Sequence, residues 1–563
     1  MPFRKMILAA SAAGLALGAA QANAAILYEP DHASYAGWTN YAFQNAVPLA
    51  KPLWSADYGL PKVEYGPVDD RIAVGGGRVY YAKNGAVVAT DVRTGAVPWT
   101  YRGHDVATVA FADGTVYALT SGGGLHKLDA ATGKRLWTLQ VDDAAGAAVL
   151  PESDAAYLAT GGALFAVDAA TGHMKWSNLE LAGGYGSAIL LQDKVLFATS
   201  RSGAITYDVV VAIDKATGKT LWDVGGVPLQ IRDDVGYFRN TWPIHDRSTH
   251  GLQVDVVDMA TGRIVEEREY VPVPEGKDAF TFAARQAVMS GDQLFALGAD
   301  DVVYKHHIDV SPDAANVERM EVGDAWIAGP YDGKLFFPGS NGFGLFARKT
   351  IDRNWVYYEG LDNAVQRIDF ADSGMFVGQT DGEIYALNVS TGKALFRFDA
   401  GAQRFGRFHV SDGTLLVQGE DKLYAFALPA ELTKPLDERG SQPYPEARAL
   451  LTIDGKAETF EPAAVMIDNR MFVPLRALFQ AVGATVDFDD ASGEVRVAYG
   501  DRAFALKEGA PYADVGGERQ PMSYAPTLAN GSVYVPLREV GALLGVDVNW
   551  IDATRTVEIR TTP

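Results

Sequence analysis

The sequence predicts a mainly β chain, a β-propeller of four-stranded antiparallel blades followed by a small duplicated α/β unit. Three observations predict it. A turn of the form "LDAATGKRLW" is rewritten along the first four hundred residues, with its Asp or Asn at 91, 129, 168, 214, 258 and 388. The 59 glycines among 563 residues suit many tight turns rather than long helices. A second internal repeat, offset by 62 residues, lies near the C-terminal end and carries helical spacing.

The first four intervals of the turn are 38, 39, 46 and 44 residues. A period near forty made of strands and Gly turns indicates a propeller or a solenoid. Val106 to Val141 reads as one unit of four strands, "VATVAFADG", "TVYALTSGG", "GLHKLDAATG" and "KRLWTLQV". In its turn Asp129 is placed to accept backbone N–H bonds, Thr132 to do the same more weakly, and Gly133 to take the positive φ that reverses the chain. Trp137 then falls on the outer strand with a large apolar face to bury.

The set Ala-x-Asp, Thr-Gly, then Trp eight positions after the Asp, resembles the pyrroloquinoline-quinone-type propeller repeat. Four copies keep the Asp, the Thr-Gly and the Trp: Asp91, Gly95, Trp99; Asp129, Gly133, Trp137; Asp168, Gly172, Trp176; Asp214, Gly218, Trp222. The resemblance implies that these residues are structural, each Trp docking on a neighbouring blade. The copies with Glu266 and Phe396 in the Trp position are expected to pack less regularly. Two degenerate units, 286–322 and 324–363, lose the Thr-Gly turn, and a final unit has three strands, its fourth supplied by "KPLWSADYG" at 51–59. A strict count gives nine units; the family usually has eight blades, and eight is the expectation.

Beyond Pro429 the composition shifts to "AELTKPLDERGSQPYPEAR", which reads as a linker. "MFVPLRALFQAVGATVDFDDASGEVRV" then recurs as "VYVPLREVGALLGVDVNWIDATRTVEI". Pro474 and Pro536 are expected at the first helical position. Leu475, Leu478, Phe479 and Val482 form one apolar helical face, and Leu537, Val540, Gly541 and Leu544 repeat it. This module is similar to the stalk domain related to the N-terminal domain of copper amine oxidases. That resemblance implies only the non-catalytic domain, since neither a His-x-His pair nor the Asn-Tyr-Asp/Glu cofactor sequence is present. Arg476 and Arg538 are expected in buried salt bridges.

The domain plan is a signal peptide at 1–24, a lead-in at 25–50, the propeller at 51–429, a linker at 430–449 and the stalk at 450–563. Arg4 and Lys5, the apolar run to Ala20, and Ala22-Asn23-Ala24 read as a secretory signal, with the mature chain starting at Ala25. The protein is therefore expected to be secreted or otherwise extracytoplasmic, at the cell surface or in a periplasm. No later stretch is long and apolar enough for a spanning helix, and no cysteine is available for a disulfide or a lipid anchor. The formal charge of −21 disfavours nucleic acid as a partner.

No catalytic set and no metal site stand out. Pyrroloquinoline quinone is disfavoured because its alcohol dehydrogenases of this fold commonly use a vicinal cysteine pair, and copper is disfavoured for want of ligands. His306 and His307 point to opposite faces of a strand and read as solvated. The weak ligand candidates are Arg239, Trp242, His245, Asp246 and His250, in the stretch "YFRNTWPIHDRSTHG" that interrupts one blade. The expected function is a non-catalytic binding or scaffolding protein with a protein or cell-envelope polymer partner, similar to the propeller lipoproteins of outer-membrane assembly. A hydrolase or lyase built on a propeller face is the alternative, a quinone-dependent dehydrogenase a remoter one.

Overall fold

The computed structural model describes residues 25–26, 47–58, 70–181, 187–202, 206–232, 234–240, 250–273, 276, 283–291, 293–308, 318–322, 326–339, 342–350, 355–358, 360–436, 447, 449–460, 462–467, 470–489, 493–522, 524–529, 532–551, 554 and 556–561. Within them, nine antiparallel sheets succeed one another along the first part of the chain. Each has four strands, and Ala25–Ile26 adds a short fifth to the inner strand of one. Blades one to eight span 72–101, 106–140, 148–178, 187–225, 227–272, 286–321, 328–357 and 365–399. Blade nine takes three strands from 409–427 and its outer strand from Trp54–Asp57.

The blade number is thus nine, not eight. Both degenerate units are complete sheets, because a blade is made by its strand ladder and buried faces and not by its Thr-Gly turn. In blades six and seven the second strands, Gln293–Leu297 and Lys334–Pro338, are almost wholly buried although the turn motif is gone. Apolar clusters link every blade to the next, and the last one joins Tyr58, Leu416, Leu423 and Ala425 to Ile72, Val79 and Tyr81 of blade one. The strand at 54–57 pairs with Lys422–Ala425, which removes the free edge at the seam as expected.

In the C-terminal part the two copies meet strand to strand, Phe472 opposite Pro536 and Val473 opposite Val535. Each strand runs straight into a helix, α1 (Leu475–Ala481) and α2 (Leu537–Leu544). Pro474 and Pro536 cap these helices from outside, one residue before the position expected. The predicted apolar faces are buried in one cluster with Leu451, Val495, Phe504 and Ile559. Arg476 and Arg538 are exposed, not in buried salt bridges. They sit one residue after Leu475 and Leu537, a step of about 100° that turns them away from the buried stripe. Among the described residues the apolar clusters lie either in the propeller, onto which Leu432 and Leu436 at the start of the expected linker pack, or in this module. The propeller and the module touch at blade six, where Gln293 Nε2 donates to the Gly509 carbonyl at 2.8 Å and the His307 and Tyr512 rings meet edge-on at 5.6 Å.

Candidate functional site

The recurring turn is a joint between blades. Asp129 Oδ1 accepts the Thr132 N–H at 2.8 Å and its hydroxyl, and Gly133 has φ +72°. A Cβ on Gly133 would lie 2.6 Å from the Trp99 ring of the preceding blade. The Trp99 indole N–H donates at 3.0 Å to the carbonyl of Ala130, the residue after the turn Asp. The same arrangement recurs for Trp137 with Ala169 and Gly172, and for Trp176 with Lys215 and Gly218. Trp222 lies on Gly262. Trp54 does this work at the seam, on Val92 and Gly95. The motif residues are structural, and their local hydrogen bonds hold the turn carboxylates of Asp91, Asp129, Asp168 and Asp214 below the usual range.

Where the Trp is lost, other side chains cap the equivalent carbonyl. Tyr270 donates to Ile308 at 2.8 Å beside Arg268, Lys305 to Thr350 at 3.2 Å, and Tyr358 to Val389 at 3.2 Å. Phe396 packs on Phe426. The joint therefore keeps its acceptor and changes its donor.

Just before the Trp position the outer strands of blades two to five and of blade eight carry a β-bulge. The register shifts between Arg135 and Trp137, Thr220 and Trp222, and Ile264 and Glu266, facing their partner strands. The extra residue in each, Leu136, Leu221 or Val265, is left outside the ladder and is 51%, 47% and 47% exposed. In blade three the bulged residue is Lys175; the exposed Met174 there and Val97 in blade one stand two positions before the Trp. A bulge bends an edge strand and re-aims a side chain, so blades two, four and five present an apolar residue at the same place of the repeat on the outer rim. Nothing in the composition signals these residues; the repeat alignment does, read one position ahead of the Trp.

Of the ligand candidates, Arg239 and His250 lie within the described residues, each with its own partners. Arg239 reaches from blade five to the carbonyls of Ala284 and Arg285, where it ties two blades together. His250 Nδ1 lies 3.3 Å from Glu269. Trp242, His245 and Asp246 fall outside the described residues. His306 and His307 do lie on opposite faces of their strand, but they are buried rather than solvated. Tyr270 and Tyr304 enclose His306, and burial pushes its pKa down to about 3. Tyr512 covers His307.

At the opposite end of blade eight from its Thr-Gly turn, the approach to its first strand crosses the turn between its second and third. There Asn363 Nδ2 donates to Asp362 at 3.2 Å and to Asp381 at 2.5 Å. Glu383 is committed to Arg397 and the Tyr385 hydroxyl. Burial raises the pKa of Asp362 and Asp381, and neighbouring carboxylates add to it. The buried oxygens Asn363 Oδ1, Gln379 Oε1 and Thr380 Oγ1 have no hydrogen-bond partner. A second polar network, at the seam, is self-contained: Asp70 takes His409 Nε2 at 2.9 Å and Gln418 Nε2 at 2.8 Å. Among the described residues no three His, Cys, Asp or Glu side chains are grouped to hold a metal ion.

Residues 452–559 match the Copper amine oxidase N-terminal domain family, and 49–178 and 144–323 match the family described as Outer membrane protein assembly factor BamB. No curated protein matches the chain. BamB from Moraxella catarrhalis is 16% identical, with 65% of this chain and 99% of that one covered and a TM-score of 0.36. The quinohemoprotein alcohol dehydrogenase ADHIIG from Pseudomonas putida HK5 is 15% identical over 71% of this chain and 79% of that one, TM-score 0.38. Sqt1 of Saccharomyces cerevisiae is 12% identical over 69% and 100%, TM-score 0.38. The chain joins quinoprotein-type propeller repeats to a module of the copper amine oxidase N-terminal type.

Proposed function

We propose that this is an exported binding or scaffolding protein whose propeller rim docks a partner protein outside the cytoplasm. The observation that carries the reading is the set Leu136, Leu221 and Val265, the exposed bulge residues of blades two, four and five. Exposed apolar residues that recur at one position of the repeat set out docking points along the rim, which scattered single residues do not. The bulges that create them also break the flat edge, so the rim presents side chains without offering a template for strand addition. The matched stretch 49–323, blades one to six, contains all three and supports the reading through the assembly role in that family's description. The C-terminal module, resting on blade six, serves as a spacer or second contact.

A photo-crosslinking residue placed at Leu136 or Leu221 in the secreting cell tests this. Discrete adducts are expected at both positions and not at Gln140, exposed at the far end of the same outer strand as Leu136. Equal labelling at all three positions, or none, defeats the proposal.

A further inference from the structure

The turn of blade eight holds a feature that the rim reading does not use. Asp362 and Asp381 come from two crossing segments of blade eight and share one side-chain donor, the amide of Asn363, while Asp381 also accepts the Glu383 N–H at 3.1 Å. Uncharged N–H groups offset two carboxylates poorly, and Arg397 and Tyr385 already hold both oxygens of Glu383. The same two segments supply three oxygens that accept nothing: Asn363 Oδ1, Gln379 Oε1 and Thr380 Oγ1, on residues 3%, 0% and 4% exposed. Buried acceptors without donors are rare in folded proteins and call for a partner. Asn363 Oδ1 belongs to the very amide that bridges the carboxylates. Gln379 Nε2 donates to the Asn363 carbonyl at 2.8 Å and Thr380 N–H to Ala364, so the second segment is laced to the first.

We propose that this cluster binds one hard divalent cation of calcium's size, with Asp362 and Asp381 as charged ligands and the Asn363, Gln379 and Thr380 side-chain oxygens as neutral ones. All the available donors are oxygens, with no imidazole or thiolate among them, which selects calcium or magnesium over zinc and copper. Two carboxylates with several neutral oxygens on two crossing segments suit the six to eight ligands and irregular geometry that calcium takes. Magnesium demands a near-ideal octahedron and keeps its waters. Among the described residues no third carboxylate is free to join them, so the neutral oxygens are needed to complete the shell. Asn363 turns over on binding, presenting Oδ1 where Nδ2 now bridges. The cation would pin the approach of blade eight to its own turn, at the end of the blade remote from the Thr-Gly joints.

The test is calorimetric titration of the purified full chain, stripped with EDTA, with calcium chloride and separately with magnesium chloride, alongside thermal unfolding in each. One saturable calcium site per chain is expected, with a rise in Tm and at least tenfold weaker binding of magnesium. Asp381→Asn and Asn363→Ala should each weaken calcium binding at least tenfold, while Asp113→Asn, in an exposed turn of blade two, should not. Circular dichroism shows whether each variant is folded. If Asn363→Ala fails to fold, Asp381→Asn decides alone, since removing one of two crowded carboxylates relieves repulsion. Absence of saturable calcium heat in the folded wild type overturns the proposal, as does calcium binding that both variants leave intact or magnesium binding as tight as calcium.

Discussion

Substituting Gly133 by Ala measures how much of the ring's stability resides in one turn-on-tryptophan joint. Gly133 has φ +72°, and a Cβ there would sit 2.6 Å from two atoms of the Trp99 ring. Two costs follow. Holding an Ala in the left-handed region costs about 1 to 2 kcal/mol. Making room against a large ring that is itself hydrogen-bonded to Ala130 adds overpacking strain of roughly 1 to 3 kcal/mol. Gly114 supplies the control, because it has φ +71° and nothing within 4 Å of its Cβ position. Gly114→Ala should therefore cost only the backbone part, about 1 to 2 kcal/mol. Gly133→Ala should cost about 2 to 5 kcal/mol, the sum of the two estimates. Equilibrium urea unfolding, followed by tryptophan fluorescence and by circular dichroism, gives both values, with coincidence of the probes as the check on a single transition. If the two variants are equally destabilised, the Trp ring yields freely and the joint is not a packed contact. Trp99→Leu closes the cycle, since in that background the two alanines should converge.

Tyr358→Phe removes the hydroxyl that caps Val389 at 3.2 Å where the Trp is missing. It should cost roughly 1 to 3 kcal/mol, as expected for a buried acceptor losing its donor, and no change in urea midpoint would refute the substitute-cap idea. At the seam, burial alone would raise the Asp70 pKa, but the hydrogen bond and charge of His409 and the Gln418 amide outweigh it and the value is lowered. A lowered carboxylate stabilises the fold above its unfolded value, about 3.9, and that contribution is lost as pH falls through the folded value. Asp70→Asn should therefore flatten the acid limb of the stability profile below about pH 4, and an unchanged limb would mean that other carboxylates set it. Reconstitution with pyrroloquinoline quinone and calcium should give no dye reduction with alcohols or sugars beyond the quinone blank. Limited proteolysis should cut between Leu436 and Arg448, beyond the stretch that packs Leu432 on the propeller, and leave two soluble fragments that unfold cooperatively, each retaining its own apolar clusters; collapse of the propeller fragment would show a shared core.

What could be read from the chain before the structure was what is local in sequence. Asp129, Thr132 and Gly133 make their turn within five residues, so repetition of the letters reports repetition of the geometry. The helical stripe from Leu475 is equally local, and its burial follows from its spacing. The strict count of nine units was also legible, and it was the family habit of eight that misled, because a blade without its Thr-Gly turn still has four alternating strands.

The parts that were not legible depend on pairs far apart. Tyr270 and Tyr358 replace a Trp from other places on their strands, so aligning the motif finds a gap where the fold has a substitute. His306 and His307 read as solvated because nothing near them in sequence says that Tyr512, two hundred residues on, closes over one of them. "LDNAV" and "QTDGE" each pass for ordinary turn chemistry, Asp-Asn and Asp-Gly. Only the crossing of two loops turns them into carboxylates sharing one amide, with three oxygens left over. A repeat constrains the residues that build the joint in every blade alike, whereas a site needs residues that break the repeat in one. Blade eight keeps the asparagine form of the turn at Asn388 and carries the cluster at its other end, so the scaffold and the departure from it occupy opposite ends of the same strands.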